Sequence, residues 1–250
     1  VPVELGFVPM RLGFQGSVSR ISVSPVERTV AVVENGNTVA VWEFGKSAPL
    51  FRAGHDAFIL DVAFSADGRW LATASTDKSA AVWDAATGVR RALLPHDDGV
   101  VRAVFSPDGR MLASASSDGS ARLWNVETGK EALRLAHASA VTALDYGRDG
   151  RRLATGTKAG KVHVWDVTSG QSVMEANAGI EVHQVALSPD GRRVVSAGAD
   201  PVARLWDVDS GREVLALQHV DSLGAVPWSR DGRLVGRTGN ECIRVWSADG

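Results

Sequence analysis

The sequence predicts an all-β fold, a six-bladed β-propeller with four antiparallel strands per blade, on three observations. Six tryptophans, Trp42, Trp83, Trp124, Trp165, Trp206 and Trp246, recur at intervals of 41, 41, 41, 41 and 40 residues. A period of that length marks an array of stacked repeats. About 18 residues before each of the last five lies an Asp-Gly turn: SADGR at 65–69, SPDGR at 106–110, GRDGR at 147–151, SPDGR at 188–192 and SRDGR at 229–233. Asp-Gly between apolar runs is a strong hairpin signal. No stretch of the chain has the 3.6-residue periodicity of an amphipathic helix.

Each period divides into four strands in order. Runs such as DVAF and RAVF precede the Asp-Gly turn, and WLATAS, MLASAS, RLATGT and RVVSAG follow it. Their small and branched residues suit strands covered on both faces. The third strand ends in a Thr/Ser-Gly turn, as in AVWDAATG, RLWNVETG, HVWDVTSG and RLWDVDSG, and the fourth is an outer strand such as KEALRLA at 130–136. This places repeats at about 14–54, 55–95, 96–136, 137–177, 178–218 and 219–250 of a single domain. Residues 7–13, FVPMRLG, fall where KEALRLA falls in its repeat, and the chain ends at Asp249-Gly250, where the last blade needs that strand. Residues 1–13 are therefore expected to complete the last blade and close the ring, since an unpaired edge invites aggregation. A frayed leader and a larger ring are the alternatives.

The Trp-Asp pairs Trp83/Asp84, Trp165/Asp166 and Trp206/Asp207, with histidines upstream in several repeats, resemble the WD-repeat propellers over essentially the whole chain. The regular alanine- and arginine-rich repeats look like bacterial members. His55, Ser75 and Asp77 precede Trp83; His96, Ser116 and Asp118 precede Trp124; His137 and Thr157 precede Trp165; and His219 and Thr238, with Asn240, precede Trp246. Acid, imidazole and hydroxyl are the parts of a serine hydrolase. A hydrolase needs one such set, open to substrate, and here the set recurs at fixed offsets. The structural reading is a relay in which the indole N–H donates to the hydroxyl, the hydroxyl to one histidine nitrogen, and the other nitrogen to the carboxylate. The resemblance implies the same four-residue network. It is incomplete where Phe14, Glu34 and Gly36, then Ala159, then Ala178 and Gly198, occupy the corresponding positions.

Charged residues make up 22% of the 250 and the net charge is −2. No global field draws in nucleic acid or an anionic membrane, and neither is expected as a partner. Cys242 is the only cysteine, which excludes an internal disulfide and fits a reducing, cytoplasmic setting. No apolar run approaches the roughly 20 residues that span a bilayer. Outside the repeat positions only His163 and His183 remain as imidazole ligands, so no metal is expected. There is no phosphate-binding glycine loop, and no cofactor is expected.

The resemblance implies a binding face on the loops entering the first strand and joining the second to the third. It nominates Phe58, Leu60 and Val101 as an apolar lip on the second and third blades, and Lys158, Glu181 and His183 as a polar one on the fourth and fifth. Core packing is the alternative for Phe58 and Leu60, and an ordinary solvated rim for Lys158, Glu181 and His183. On the opposite rim, Arg69, Arg110, Arg151, Arg192 and Arg233 alternate with the turn aspartates, a pattern expected to serve solubility. The leading expectation is a monomeric, non-enzymatic scaffold that docks a protein or peptide. The alternatives are a sensor or regulatory domain of a larger signalling protein, such as a kinase or nucleotide-driven switch, and a propeller enzyme with polar groups at its channel.

Overall fold

In a computed structural model, residues 17–218, 226–238 and 243–248 are described. Among them every regular element is a strand, and five sheets have four antiparallel strands each, joined in chain order. The first sheet holds β1 (Val18–Val23), β2 (Thr29–Glu34), β3 (Thr38–Glu43) and β4 (Phe51–Gly54). The second holds β5 (Ile59–Phe64), β6 (Trp70–Ser75), β7 (Ser79–Asp84) and β8 (Arg90–Pro95), and the third β9 (Val100–Phe105), β10 (Met111–Ser116), β11 (Ser120–Asn125) and β12 (Glu131–Ala136). The fourth holds β13 (Val141–Tyr146), β14 (Arg152–Thr157), β15 (Lys161–Asp166) and β16 (Ser172–Asn177), and the fifth β17 (Val182–Leu187), β18 (Arg193–Gly198), β19 (Val202–Asp207) and β20 (Glu213–Gln218). A two-stranded sheet of β21 (Leu234–Thr238) and β22 (Ile243–Ser247) follows, with Trp228 bridged to Val235.

Repeated four-stranded antiparallel sheets of this kind are the blades of a β-propeller. First strands of successive sheets pack on one another, β5 on β9, β9 on β13 and β13 on β17, while fourth strands such as β8 and β12 are mostly exposed. The first strand of each sheet is therefore the inner one. Central strands are buried on both faces: Leu71 to Ser75 and Leu112 to Ser116 are all buried. That explains their alanines and serines, because small residues let neighbouring sheets approach closely.

The core lies between the sheets. Trp83 packs with Ala31, Val33, Val39 and Val41 of the first sheet, and Trp206 with Val162, Val164 and Met174 of the fourth. From the second repeat onward each tryptophan of the period thus seals a blade onto its predecessor, whereas Trp42 clusters with Val30, Val32 and Ala40 of its own sheet. Four of the five Asp-Gly turns are pinned by a serine and the aspartate, whereas the turn at 147–151 has Gly147 in the serine's place and keeps the Asp149 bond alone. In the first of them the Ser65 hydroxyl donates to Asp67 Oδ1 at 2.6 Å, which also accepts the Arg69 N–H at 3.1 Å. Gly68 adopts φ +70° there, a conformation that glycine alone takes without strain.

The expected closing strand, residues 1–13, lies outside the described residues, as do Phe14, His219, Asn240, Cys242 and the side chain of Thr238. Among the described residues no strand pairing joins the two-stranded sheet to the first sheet.

Candidate functional site

The apparent catalytic groups of the second sheet form a closed relay. Trp83 Nε1 donates to Thr73 Oγ1 at 2.9 Å, Thr73 Oγ1 lies 2.7 Å from His55 Nε2, and His55 Nδ1 lies 2.7 Å from Asp77 Oδ2. An indole N–H only donates, so the threonine oxygen accepts from it and sends its own proton to Nε2. Nδ1 then carries the proton given to Asp77. Burial opposes ionisation of Asp77, but hydrogen bonds from Ser79 and His55 outweigh it and hold the carboxyl below its usual range. Thr73 is fully buried. Its oxygen has no access to a substrate, and it already accepts the indole N–H.

The hydroxyl of this relay differs from the one expected. Ser75 does not take part; it accepts the Asp77 N–H at 3.1 Å and donates to the carbonyl of Ala57 at 3.3 Å. Ser116 likewise caps the turn before β9 through the carbonyls of Asp98 and Gly99, and Thr157 bonds the backbone of Lys161. Strand register is the reason. Trp83 stands opposite Leu71, which makes Thr73 its diagonal neighbour on the same face, whereas Ser75 stands opposite Ser79 at the far end of the ladder. The same geometry gives Trp124 Nε1 to Ser114 at 2.8 Å, Trp165 to Thr155 at 2.9 Å and Trp206 to Ser196 at 2.8 Å. A sequence signal did exist. The residue ten before the tryptophan carries a hydroxyl in four consecutive repeats, whereas the residue eight before it gives out at Gly198.

The relay varies from sheet to sheet. In the third, His96 joins Ser114 at 2.7 Å and Asp118 at 3.1 Å, and Asp118 is held far below the usual carboxylate range; burial opposes this, but bonds from Ser120, the Asp97 N–H and His96 prevail. Arg122, a residue sequence reasoning missed, is buried beside it. Its guanidinium bonds Asp118 at 2.9 Å, Asp97 at 2.9 Å and the Pro95 carbonyl at 3.1 Å. In the fourth sheet Ala159 stands where an aspartate would, and His137 Nδ1 turns to the Leu135 carbonyl at 3.1 Å. His163 stacks on Trp165 with centroids 5.2 Å apart and meets His137 edge-on at 5.1 Å. Burial, then the neighbouring His163, pushes His137 down to about 4.

The nominated recognition residues are distributed as follows. Phe58 is 65% exposed, and its ring lies so close to Gly36 that a Cβ there would fall 2.6 Å from it. Phe58 and half-buried Leu60 line a pocket of about 270 Å³ with Ser19, Arg20 and Asn35, so this lip faces the first sheet. Arg20 Nε donates to the Leu60 carbonyl at 2.9 Å across the seam. Val101 is not part of this pocket; it packs on the core between the third and fourth sheets, correcting its place in the lip. Val101 shares that core with Val104, whereas Val100, Ala103 and Phe105 face the second sheet, because a bulge in β9 at Val101 interrupts the alternation. Lys158 is exposed, while His183 lies 4.0 Å from Glu181 on the inner rim of the fifth sheet. No cluster of three metal-ligating side chains occurs among the described residues. No helix is long and apolar enough to cross a membrane among them.

Comparison with known families fits this geometry. Residues 97–241, more than half of the chain, match the family described as Nucleolar protein 10-like, N-terminal domain, and residues 48–84 match the WD domain, G-beta repeat. No curated protein matches the chain.

Proposed function

This chain belongs to the nucleolar protein 10-like N-terminal β-propeller family of WD-repeat proteins, and from that premise we propose that it is a non-enzymatic scaffold docking a protein or peptide. WD-repeat propellers generally mediate protein–protein interactions. The observation that carries the reading is the closed relay. Thr73, Ser114 and Thr155 each sit between an indole and an imidazole in the interior of a sheet, so these hydrolase-like constellations are spent on packing. Recognition falls to the exposed rim, with Phe58 and Leu60 as the apolar contact and Lys158, Glu181 and His183 as the polar one. A large exposed aromatic beside a shallow pocket is the kind of feature that anchors a partner.

The ring is closed, in this reading, as six blades, with residues 1–13 supplying the outermost strand of the last. Val18, Ile21 and Val23 on β1 support it: they are 46, 65 and 59% exposed among the described residues, whereas Ile59 and Val62 at the equivalent positions of β5 are buried by the preceding sheet. A covering blade gives β1 the same environment.

Affinity capture with the intact chain, Phe58→Ala plus Leu60→Ala, and Lys158→Ala plus His183→Ala tests the proposal. Loss of a defined partner with one pair, at unchanged thermal stability, supports it. An identical partner set with all three proteins would refute the assigned face, and a hydrolase activity lost on Thr73→Val but not on unfolding controls would refute the scaffold reading.

A further inference from the structure

We propose that the groove between the second and third sheets, on the face of the Asp-Gly-Arg turns, docks an acidic extended segment of a partner protein. This face is opposite the Phe58 rim, because β5 runs from Phe58 at one end to the Ser65–Arg69 turn at the other. The two surfaces can therefore be lost separately.

The groove encloses about 860 Å³, and its seam is open for an identifiable reason. At the first position of β14 and of β18 an arginine ties its sheet to the next: Arg152 Nη1 donates to the Gly191 carbonyl at 2.5 Å, and Arg193 Nη1 to the Ala248 carbonyl. The equivalent residue of β6 is Trp70, which packs against the core below and makes no such bridge among the described residues. The seam between the second and third sheets thus keeps an aromatic floor, with the Arg69 guanidinium 4.6 Å above the Trp70 ring and exposed Val89 beside it.

Charge decides what such a floor would hold. Arg69, Arg90, Arg91 and Arg110 line the groove, all four exposed and without an ion pair among the described residues. Formally, Asp67, Asp84, Asp108 and Glu127 balance them. The aspartates, however, are folded into their own turns. Asp67 Oδ1 takes the Ser65 hydroxyl and the Arg69 N–H, and Asp108 Oδ1 the Ser106 hydroxyl and the Arg110 N–H. Asp84 Oδ1 takes two backbone N–H groups and the Thr87 hydroxyl. Those bonds tie up one oxygen of each aspartate and leave its charge facing Arg69 or Arg110, while the guanidiniums, those of Arg90 and Arg91 foremost, make no side-chain hydrogen bond among the described residues and match carboxylates bidentately. The neighbouring groove between the first and second sheets shares Arg69 and adds Arg28, but Glu27, Glu43, Asp67 and Asp84 outnumber them there. An extended segment with carboxylates toward the rim and an apolar side chain on Trp70 satisfies both features.

The test is fluorescence anisotropy with a labelled dodecapeptide of alternating glutamate and leucine, against its glutamate/serine and lysine/leucine counterparts and oligothymidylate. The comparison proteins are Arg90→Glu plus Arg91→Glu, and Arg192→Glu on the same rim where the seam is bridged; all three positions are exposed, and unfolding midpoints check that folding is kept. Expected is saturable binding of the glutamate/leucine peptide, several-fold weaker binding of the glutamate/serine peptide, and at least a tenfold loss with the double variant but not with Arg192→Glu. Affinity should also fall as ionic strength rises and the Debye length shrinks to about 10 Å at 0.1 M. Absence of binding at low ionic strength, equal loss with Arg192→Glu, equal binding of the lysine peptide, or tighter binding of oligothymidylate would each overturn the proposal.

Discussion

Replacing Thr73 by valine removes one oxygen and keeps the branched shape of the side chain. That oxygen serves two partners, Trp83 Nε1 at 2.9 Å and His55 Nε2 at 2.7 Å, and both rings are buried, 5 and 8% exposed. Water cannot replace it without opening the sheet interface. Each buried polar group left unpaired costs about 1–3 kcal/mol, so Thr73→Val is expected to lose about 3 kcal/mol after a small gain from the added methyl. Ser75→Ala removes one capping bond at 3.1 Å and a long one at 3.3 Å, both to backbone, and is expected to lose about 1 kcal/mol. Urea unfolding at neutral pH, followed by circular dichroism and fluorescence, measures both, with an unchanged m value as the check that compactness is preserved. A double-mutant cycle of Thr73→Val with Trp83→Phe should return a coupling near 1 kcal/mol, because the two changes delete the same bond. A Ser75→Ala loss equal to or above that of Thr73→Val, or zero coupling to Trp83, would refute the relay.

Arg122→Met should be among the costliest single changes, about 3–5 kcal/mol by urea unfolding, since it strands the buried carboxylate of Asp118 beside His96; a loss under about 1 kcal/mol would show that Asp118 needs no guanidinium. His137 sits at about 4 in the folded chain, below its ordinary 6.5, so the unfolded chain takes up the proton first, and its contribution is complete above pH 6.5 and lost as pH falls toward 4. Relative to His137→Gln, which does not titrate, the wild type should lose about 2 kcal/mol between pH 7 and pH 5; the comparison cancels the opposing contribution of Asp145, which burial raises to about 6. A difference independent of pH would place His137 in water. Deleting residues 1–13 should lower the thermal midpoint or produce self-association in light scattering, because it leaves Val18, Ile21 and Val23 without a completed neighbour; a monomer with unchanged melting would refute closure by this segment.

The period of the fold was legible because its markers are local. An Asp-Gly pair makes its turn from its own backbone preferences, and a tryptophan every 41 residues needs no knowledge of its partner to announce a repeat. Histidine and aspartate of the relay were legible for the same reason, at fixed distances from the tryptophan in the second and third repeats. The choice between Ser75 and Thr73 was not local: both are hydroxyls on the same face of β6, and only pairing of Trp83 with Leu71 selects one.

The amino-acid sequence by itself determined the all-β class, the length of each blade and the order of its strands, since these follow from turn chemistry and alternation along one chain. Tertiary structure decided everything that depends on two sheets meeting. It set Phe58 against Gly36 of the preceding blade, buried Arg122 among three acids, and let Arg152 and Arg193 bridge two seams where Trp70 leaves another open. The physical reason is that a repeat position fixes a residue's place within its blade, whereas its hydrogen bonds and burial are set by the different side chains that the next blade happens to present.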